Sequence, residues 1–195
     1  MDQPLQDKTI VIIGGTGGIG LSAAKACAIA GANLVLVGRS EKKAATAQDE
    51  VRGEVEVHGG DAMQPDTTEQ VIQLAVEKYG RLDGLYHVAG GSGRKQGDGP
   101  LHEISDEGWR FTLDFNLSSL FYSNRAAVRQ FLAQGTGGSV LNVGSVLDHS
   151  PSPVHFATHT YATTKAATVG LTQTCAAHYA SSNIRFNVLA PALVA

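Results

Sequence analysis

A tyrosine and a lysine one helical turn apart, in Tyr161-Ala162-Thr163-Thr164-Lys165, are the side chains of this chain best suited to moving a proton. On a helix, positions i and i+4 share a face, so phenol and ammonium project to the same side. A phenol titrates near ~10, whereas an acid/base works best near the operating pH, and closing about three units takes roughly 4 kcal/mol of preference for the phenolate. A neighbouring ammonium and a second cation, both shielded from water, would supply that preference together. The same spacing is common on solvated helices, so the surrounding elements must decide. Upstream, Ser145 closes an apolar run in Asn142-Val143-Gly144-Ser145-Val146, and Asn116 sits in Asp114-Phe115-Asn116-Leu117. Helical spacing puts Asn116 on one inward stripe with Trp109, Leu113 and Leu120, where an amide needs partners. A cap at a helix kink is the alternative to a reacting role.

A second constellation lies near the start, in Ile13-Gly14-Gly15-Thr16-Gly17-Gly18-Ile19-Gly20, between an apolar run and a helical pattern. Glycines there permit a tight turn and let backbone N–H groups approach a pyrophosphate, to which the helix N-terminus adds partial positive charge. The next apolar run ends in Val37-Gly38-Arg39-Ser40. A carboxylate at that position would take ribose hydroxyls and favour NAD, whereas an arginine suits the 2′-phosphate of NADP. Arg39 with Ser40 therefore favours NADP(H) over NAD(H), Glu41 being the rival acid in the first helical turn. Asp61-Ala62 follows the third run, and His87-Val88-Ala89-Gly90 the fourth.

The elements that must position these groups alternate regularly. Runs at 9–13, 34–37, 55–57, 82–88, 139–143 and 185–189 read as strands, and those at 9–13 and 34–37 are largely apolar on both faces, as a covered parallel sheet needs. Helical patterns at 19–30, 41–51, 67–79, 106–133 and 160–180 separate them. Ser40 caps the second, Asp66 with Glu69 the third, and Ser105 before Asp106 and Glu107 the fourth, while Gly31 and Gly80 sit at helix ends. The alternation predicts a doubly wound, mostly parallel α/β sheet with helices on both faces, three layers in the Rossmann manner, in a single domain over 1–195. The glycine-rich loop 90–99 reads equally as a solvated connector and as a ligand contact.

Bulk properties narrow the function classes. The 195 residues suffice for one core, 43% hydrophobic and 17% charged residues suit a soluble globular chain, and net charge is −3. No basic stripe with interleaved aromatics favours nucleic acid, and neither a membrane span nor a secretory signal is legible, so a cytoplasmic location is expected. Cys27 and Cys175 read as small buried residues in a reducing compartment. His149, His155 and His159 lack the carboxylate or thiolate that would complete a zinc site, so no metal is expected.

Together these motifs resemble the short-chain dehydrogenase/reductase family from about residue 8 onward. Gly14, Gly18 and Gly20 match its TGxxxGxG spacing, with Ile13 replacing threonine, and Tyr161 with Lys165 match its YxxxK. Ala89 and Gly90 match the second half of its NNAG, while His87 and Val88 replace asparagines that help hold the sheet. The resemblance implies Tyr161 as acid/base, Lys165 as its tuner and ribose contact, Ser145 on the substrate oxygen, and Asn116 holding a water. For the cofactor it implies Gly14, Thr16, Gly18, Ile19, Gly20, Arg39, Ser40, Asp61 beside the adenine, Ala62, Ala89 and Gly90. Arg185–Ala192 resembles the family's RxNxxxPG with Ala192 for glycine, which adds Pro191, and Val194 stands where a branched residue meets the nicotinamide. The segment from Ser145 to Tyr161 is a few residues longer than usual, and the lid and last strand that ordinarily follow are absent from this sequence. What the resemblance implies is hydride transfer between NADP(H) and a small-molecule ketone, 3-oxoacyl group or alcohol, in a homodimer or homotetramer. A nucleotide-binding or interaction protein that keeps the fold without turnover is the competing reading, and an epimerase-like relative a third.

Overall fold

A computed structural model describes residues 3–194. All six apolar runs form strands: β1 (Thr9–Ile13), β2 (Asn33–Gly38), β3 (Val55–Gly59), β4 (Gly84–His87), β5 (Gly138–Val143) and β6 (Ile184–Leu189). They make one sheet in the order β3-β2-β1-β4-β5-β6, every pairing parallel. The order reverses at β1 and β4, and the crevice outside the strand ends there is where such sheets take ligands.

Period-two alternation divides the core. Val11, Ile13, Val35, Leu85, Val140 and Phe186 face helices α3 (Pro65–Tyr79), α5 (Ser119–Gln134) and α6 (His159–Tyr179), packing on residues such as Val71, Ala75, Ala127 and Phe131. Ile12, Leu34, Leu36 and Tyr86 face the other way, towards α1 (Gly18–Ile29) and α2 (Glu41–Glu50), whose Ala24 and Ala47 allow close approach. This second face opens towards β5 and β6, where Leu141 is half-buried and Arg185 and Asn187 are exposed. A groove of about 450 Å³ lies there, lined by Leu5, Cys27, Tyr86, Leu141 and Arg185 among others. No helix of the described residues is long and apolar enough to cross a membrane.

Two caps form as their residue types predict: Ser40 Oγ accepts from Lys43 N at 3.4 Å, and Ser105 Oγ from Gly108 N at 3.0 Å. Two expectations need correction. Asp66 and Glu69 do not cap α3; Gln64 occupies the N-cap without a side-chain bond and the helix starts at Pro65. Proline lacks the N–H that would go unpaired there and its fixed φ suits the first helical position. The long helix 106–133 is not continuous either. It breaks into α4 (Asp106–Leu113), a π-turn over Asp114–Ser118, and α5. The wider turn rotates the stripe, so Asn116 and Leu120 are buried while Trp109 is 40% exposed. β4 starts at Gly84, later than its run, and just before it the Asp83 carboxylate accepts from Thr9 N and Arg81.

Candidate active site

The glycine turn is fixed by its neighbours. Gly14 N and Gly15 N both donate to Val37 O, at 2.9 and 3.0 Å, tying the end of β1 to β2. Gly14 has φ +88°, and a Cβ there would lie 2.7 Å from Ala89 N, so only glycine lets the turn meet the β4 end. A Cβ on Gly20 would lie 2.2 Å from Gly14 O, which sets how closely α1 rises from the turn. Helix α1 has no side-chain cap and no acid in its first turn, so its leading amides stay available to an anion.

Those amides open onto a cleft of about 730 Å³. It is lined by Gly14, Thr16, Gly18 and Ile19 of the turn, by Arg39 and Ser40 after β2, by Asp61 and Ala62 after β3, and by Ala89 and Gly90 after β4. The cleft size and the uncapped helix end fit a dinucleotide. Phe115 and Lys43 are among further lining residues that sequence reasoning did not single out. Phe115, on the π-turn, lies 5.0 Å from the Arg39 guanidinium, so the two meet across the cleft. Lys43 stands in the first turn of α2, near Gly17. A cation there opposes the helix dipole, a local mismatch that an anionic ligand would relieve and that the sequence already displayed.

The proton-moving groups lie beyond Gly90. Lys165 is 4% exposed, and its Nζ donates to Val143 O at 2.7 Å; among the described residues it has no carboxylate partner. Its Nζ sits 5.5 Å from the centre of the Tyr161 ring and 3.7 Å from where a Gly90 Cβ would be, so the ammonium lies between the phenol and the cleft. Burial pulls its pKa down to about 8. Tyr161 is half-buried and lines a smaller cavity of about 230 Å³ with Ser145, Ser92, Arg94, Phe156 and Pro191. Burial pushes its phenol up from the ordinary value, and the Ser145 hydroxyl works against that rise. Ser145 Oγ also accepts from Leu147 N at 3.2 Å, which fixes its rotamer.

Asn116 is buried in the π-turn. Its Oδ1 accepts from Gly91 N at 2.9 Å, while Nδ2 donates to Gly91 O and Thr112 O at 3.0 and 2.9 Å. Three of the amide's four bonding positions are thus filled, leaving one oxygen lone pair. His87 ties the end of β4 to α5, because its ring bridges Ala89 O at 3.1 Å and Ser123 Oγ at 2.8 Å. Pro191 O accepts from Val146 N at 3.1 Å, joining the end of β6 to the Ser145 segment. Val194 is not brought in; it is 64% exposed and lines neither cavity. No group of three metal-ligating side chains occurs among the described residues.

A parallel sheet reversing beside an uncapped glycine turn, with a buried amine and a phenol across the reversal, defines an α/β protein of the dinucleotide-binding kind. The short chain dehydrogenase profile matches residues 8–195. The chain is 34% identical to a 3beta-hydroxysteroid dehydrogenase of Mediterraneibacter gnavus over 95% of this chain and 66% of that one. It is 31% identical to an A-factor type gamma-butyrolactone 1'-reductase (1S-forming) of Streptomyces virginiae, over 96% of this chain and 72% of that one. The solved structure of a short-chain type dehydrogenase/reductase from Mycobacterium ulcerans superposes with a TM-score of 0.90 at 31% identity, covering 98% of this chain and 69% of that one. The chain belongs to the short-chain dehydrogenase/reductase family, and spans about two thirds of the length of these relatives.

Proposed function

We propose that this chain carries the site of an oxidoreductase that moves a hydride between NADP(H) and a small-molecule carbonyl or alcohol. One observation carries the reading. Among the described residues Lys165 is a buried amine with a single protein acceptor, set between the Tyr161 ring on one side and Gly90, at the edge of the glycine-turn cleft, on the other. The nicotinamide, when bound, supplies or takes the hydride. Ser145 Oγ holds the substrate oxygen, and Tyr161 delivers a proton to it in reduction and removes one in oxidation. Lys165 favours the phenolate by charge and reaches the ribose hydroxyls with the protons that Val143 O does not use. The free lone pair of Asn116 Oδ1 holds a water, and the rest of its amide pins Gly91. Arg39, Ser40 and Lys43 line the cleft together and would hold the 2′-phosphate, and Asp61, on the same cleft, would take the adenine.

Tyr161→Phe is expected to keep NADPH binding, read by calorimetry, and to abolish NADPH oxidation with a panel of ketones and 3-oxoacyl compounds. Arg39→Asp is expected to shift the NADPH-to-NADH ratio of kcat/KM by roughly 10–100-fold towards NADH, the worth of lost charge-assisted bonds. An unchanged ratio removes Arg39 from the account. A second reading, a dinucleotide-binding protein without turnover, is favoured by His87 and Val88 standing where the family has asparagines. Binding of NADPH with no oxidation by any panel member selects it. A cytoplasmic homodimer or homotetramer is part of the first reading.

A further inference from the structure

The loop 90–99 is joined to the start of α6 by a carboxylate that the proton path does not use. Asp98 is 5% exposed, and its two oxygens accept from Thr160 N and Tyr161 N, each at 3.0 Å. Beside it, His159 N donates to Gly99 O at 3.3 Å. Helix α6 supplies no cap of its own: Thr158, at the N-cap, makes no side-chain cap bond, and no acid stands in the first turn. Among the described residues Asp98 forms no ion pair. Its charge is therefore met by two amides and by the positive end of a helix of 21 residues.

A carboxylate that grips two consecutive amides restrains both the position and the rotation of the backbone carrying them. One of those amides belongs to Tyr161 itself, so the restraint acts on the residue whose phenol shares a cavity with Ser145. The loop benefits in turn. Ser92 and Arg94 line that same cavity, and Arg94 Nη2 donates to His155 O at 2.6 Å. On its other side the loop rests on α4, where a Cβ on Gly108 would lie 2.5 Å from the Gly97 carbonyl carbon. Asp98 thus sits where a loop backed by α4 meets the first turn of α6.

We propose that Asp98 is a positioning residue: a cap lent to α6 by a distant loop, holding Tyr161 in place against Ser145 and holding the substrate-side loop to the same helix. The kinetic part of this rests on the oxidoreductase reading; the anchoring part does not.

The test compares the cofactor-free chain with Asp98→Ala and Asp98→Asn by amide hydrogen exchange, by ultraviolet difference titration of the Tyr161 phenol against Tyr161→Phe, and by kinetics with NADPH and the fastest ketone of the panel. In Asp98→Ala the amides of Thr160 and Tyr161 are expected to exchange roughly tenfold faster, while those in the middle of α6 stay unchanged. The phenol titration is expected to move. kcat is expected to fall roughly 10–100-fold at temperatures where the protein is folded, with KM for NADPH held within about twofold. Asp98→Asn, which keeps one acceptor oxygen, is expected to fall between wild type and Asp98→Ala on every readout. Unaltered exchange at both amides and an unmoved phenol overturn the proposal, whether or not the chain turns over. A lowered melting temperature with kcat and the phenol titration unchanged also overturns it, leaving Asp98 an ordinary stabilising cap. If no ketone reacts in wild type, the oxidoreductase reading fails while exchange and titration still decide the anchor.

Discussion

His87 and Lys165 are buried ionisable side chains whose burial opposes their charged forms, and each has a consequence for stability. Burial, and secondarily the charge of Lys165, pull the His87 pKa down to about 3, against the opposing bond to Ala89. The ring is neutral at pH 7, with Nε2–H donating to Ala89 O and Nδ1 accepting from Ser123 Oγ. In the unfolded chain it titrates near ~6.5. Stability from this group is therefore complete above that value and is lost as pH falls towards 3, by up to about 4 kcal/mol. Urea unfolding between neutral and acid pH is expected to show that fall, and His87→Asn to flatten it. Equal slopes for the two proteins would mean that His87 is not the group responsible. Lys165 behaves differently at neutral pH. With a folded pKa of about 8 below its unfolded value, stability rises as pH climbs between the two, and below both the fold carries a buried ammonium. Lys165→Met is expected to be more stable by about 2 kcal/mol at pH 7 and inactive, a trade of stability for function. A destabilised variant would show that the bond to Val143 O outweighs desolvation.

Among the elements, the π-turn between α4 and α5 does most to shape the site, because it delivers Asn116 to Gly91 and Phe115 to the cofactor cleft. It depends on a well-seated α4, whose cap is Ser105. Ser105→Ala is expected to cost about 1 kcal/mol in unfolding free energy. No loss would show that the helix is held by packing alone. How much of this was readable follows from the kind of signal. Strands were legible because a sheet covered on both faces demands continuous apolar runs, and Val11-Ile12-Ile13 and Leu34–Val37 supply them. The π-turn was not, since an inserted residue leaves the local composition unchanged and only shifts the phase of the stripe, turning Trp109 outward. Helix α6 hid its inward face differently. Thr160, Thr164, Thr168 and Thr172 are buried along it, and the last three pair their hydroxyls with carbonyls one turn back. In the site, Tyr161, Lys165 and the glycine turn were legible from spacing, because they are local. Asp98 was not, because its partners lie more than sixty residues away and nothing at Asp98 itself announces a cap.

At the scale of the molecule, the groups assigned to chemistry, except Val194 and the buried Gly20, Asn116 and Lys165, line two cavities, and Lys165 lies between them beside Gly90. Helix α5 turns Phe121, 43% exposed, and Leu132 outward, a surface suited to pairing with a second copy. Sedimentation is expected to give a dimer or larger species that Phe121→Glu dissociates; a wild-type monomer at all concentrations would refute that arrangement. The decisive measurement for the whole account is a crystal structure of the chain with NADP bound. It is predicted to place the pyrophosphate on the amides of the Gly14–Gly20 turn, the 2′-phosphate against Arg39 and Lys43, and the nicotinamide ribose within reach of Lys165 beside Tyr161. A nucleotide seated elsewhere, or a nicotinamide that no substrate oxygen bonded to Tyr161 and Ser145 could approach, would contradict it.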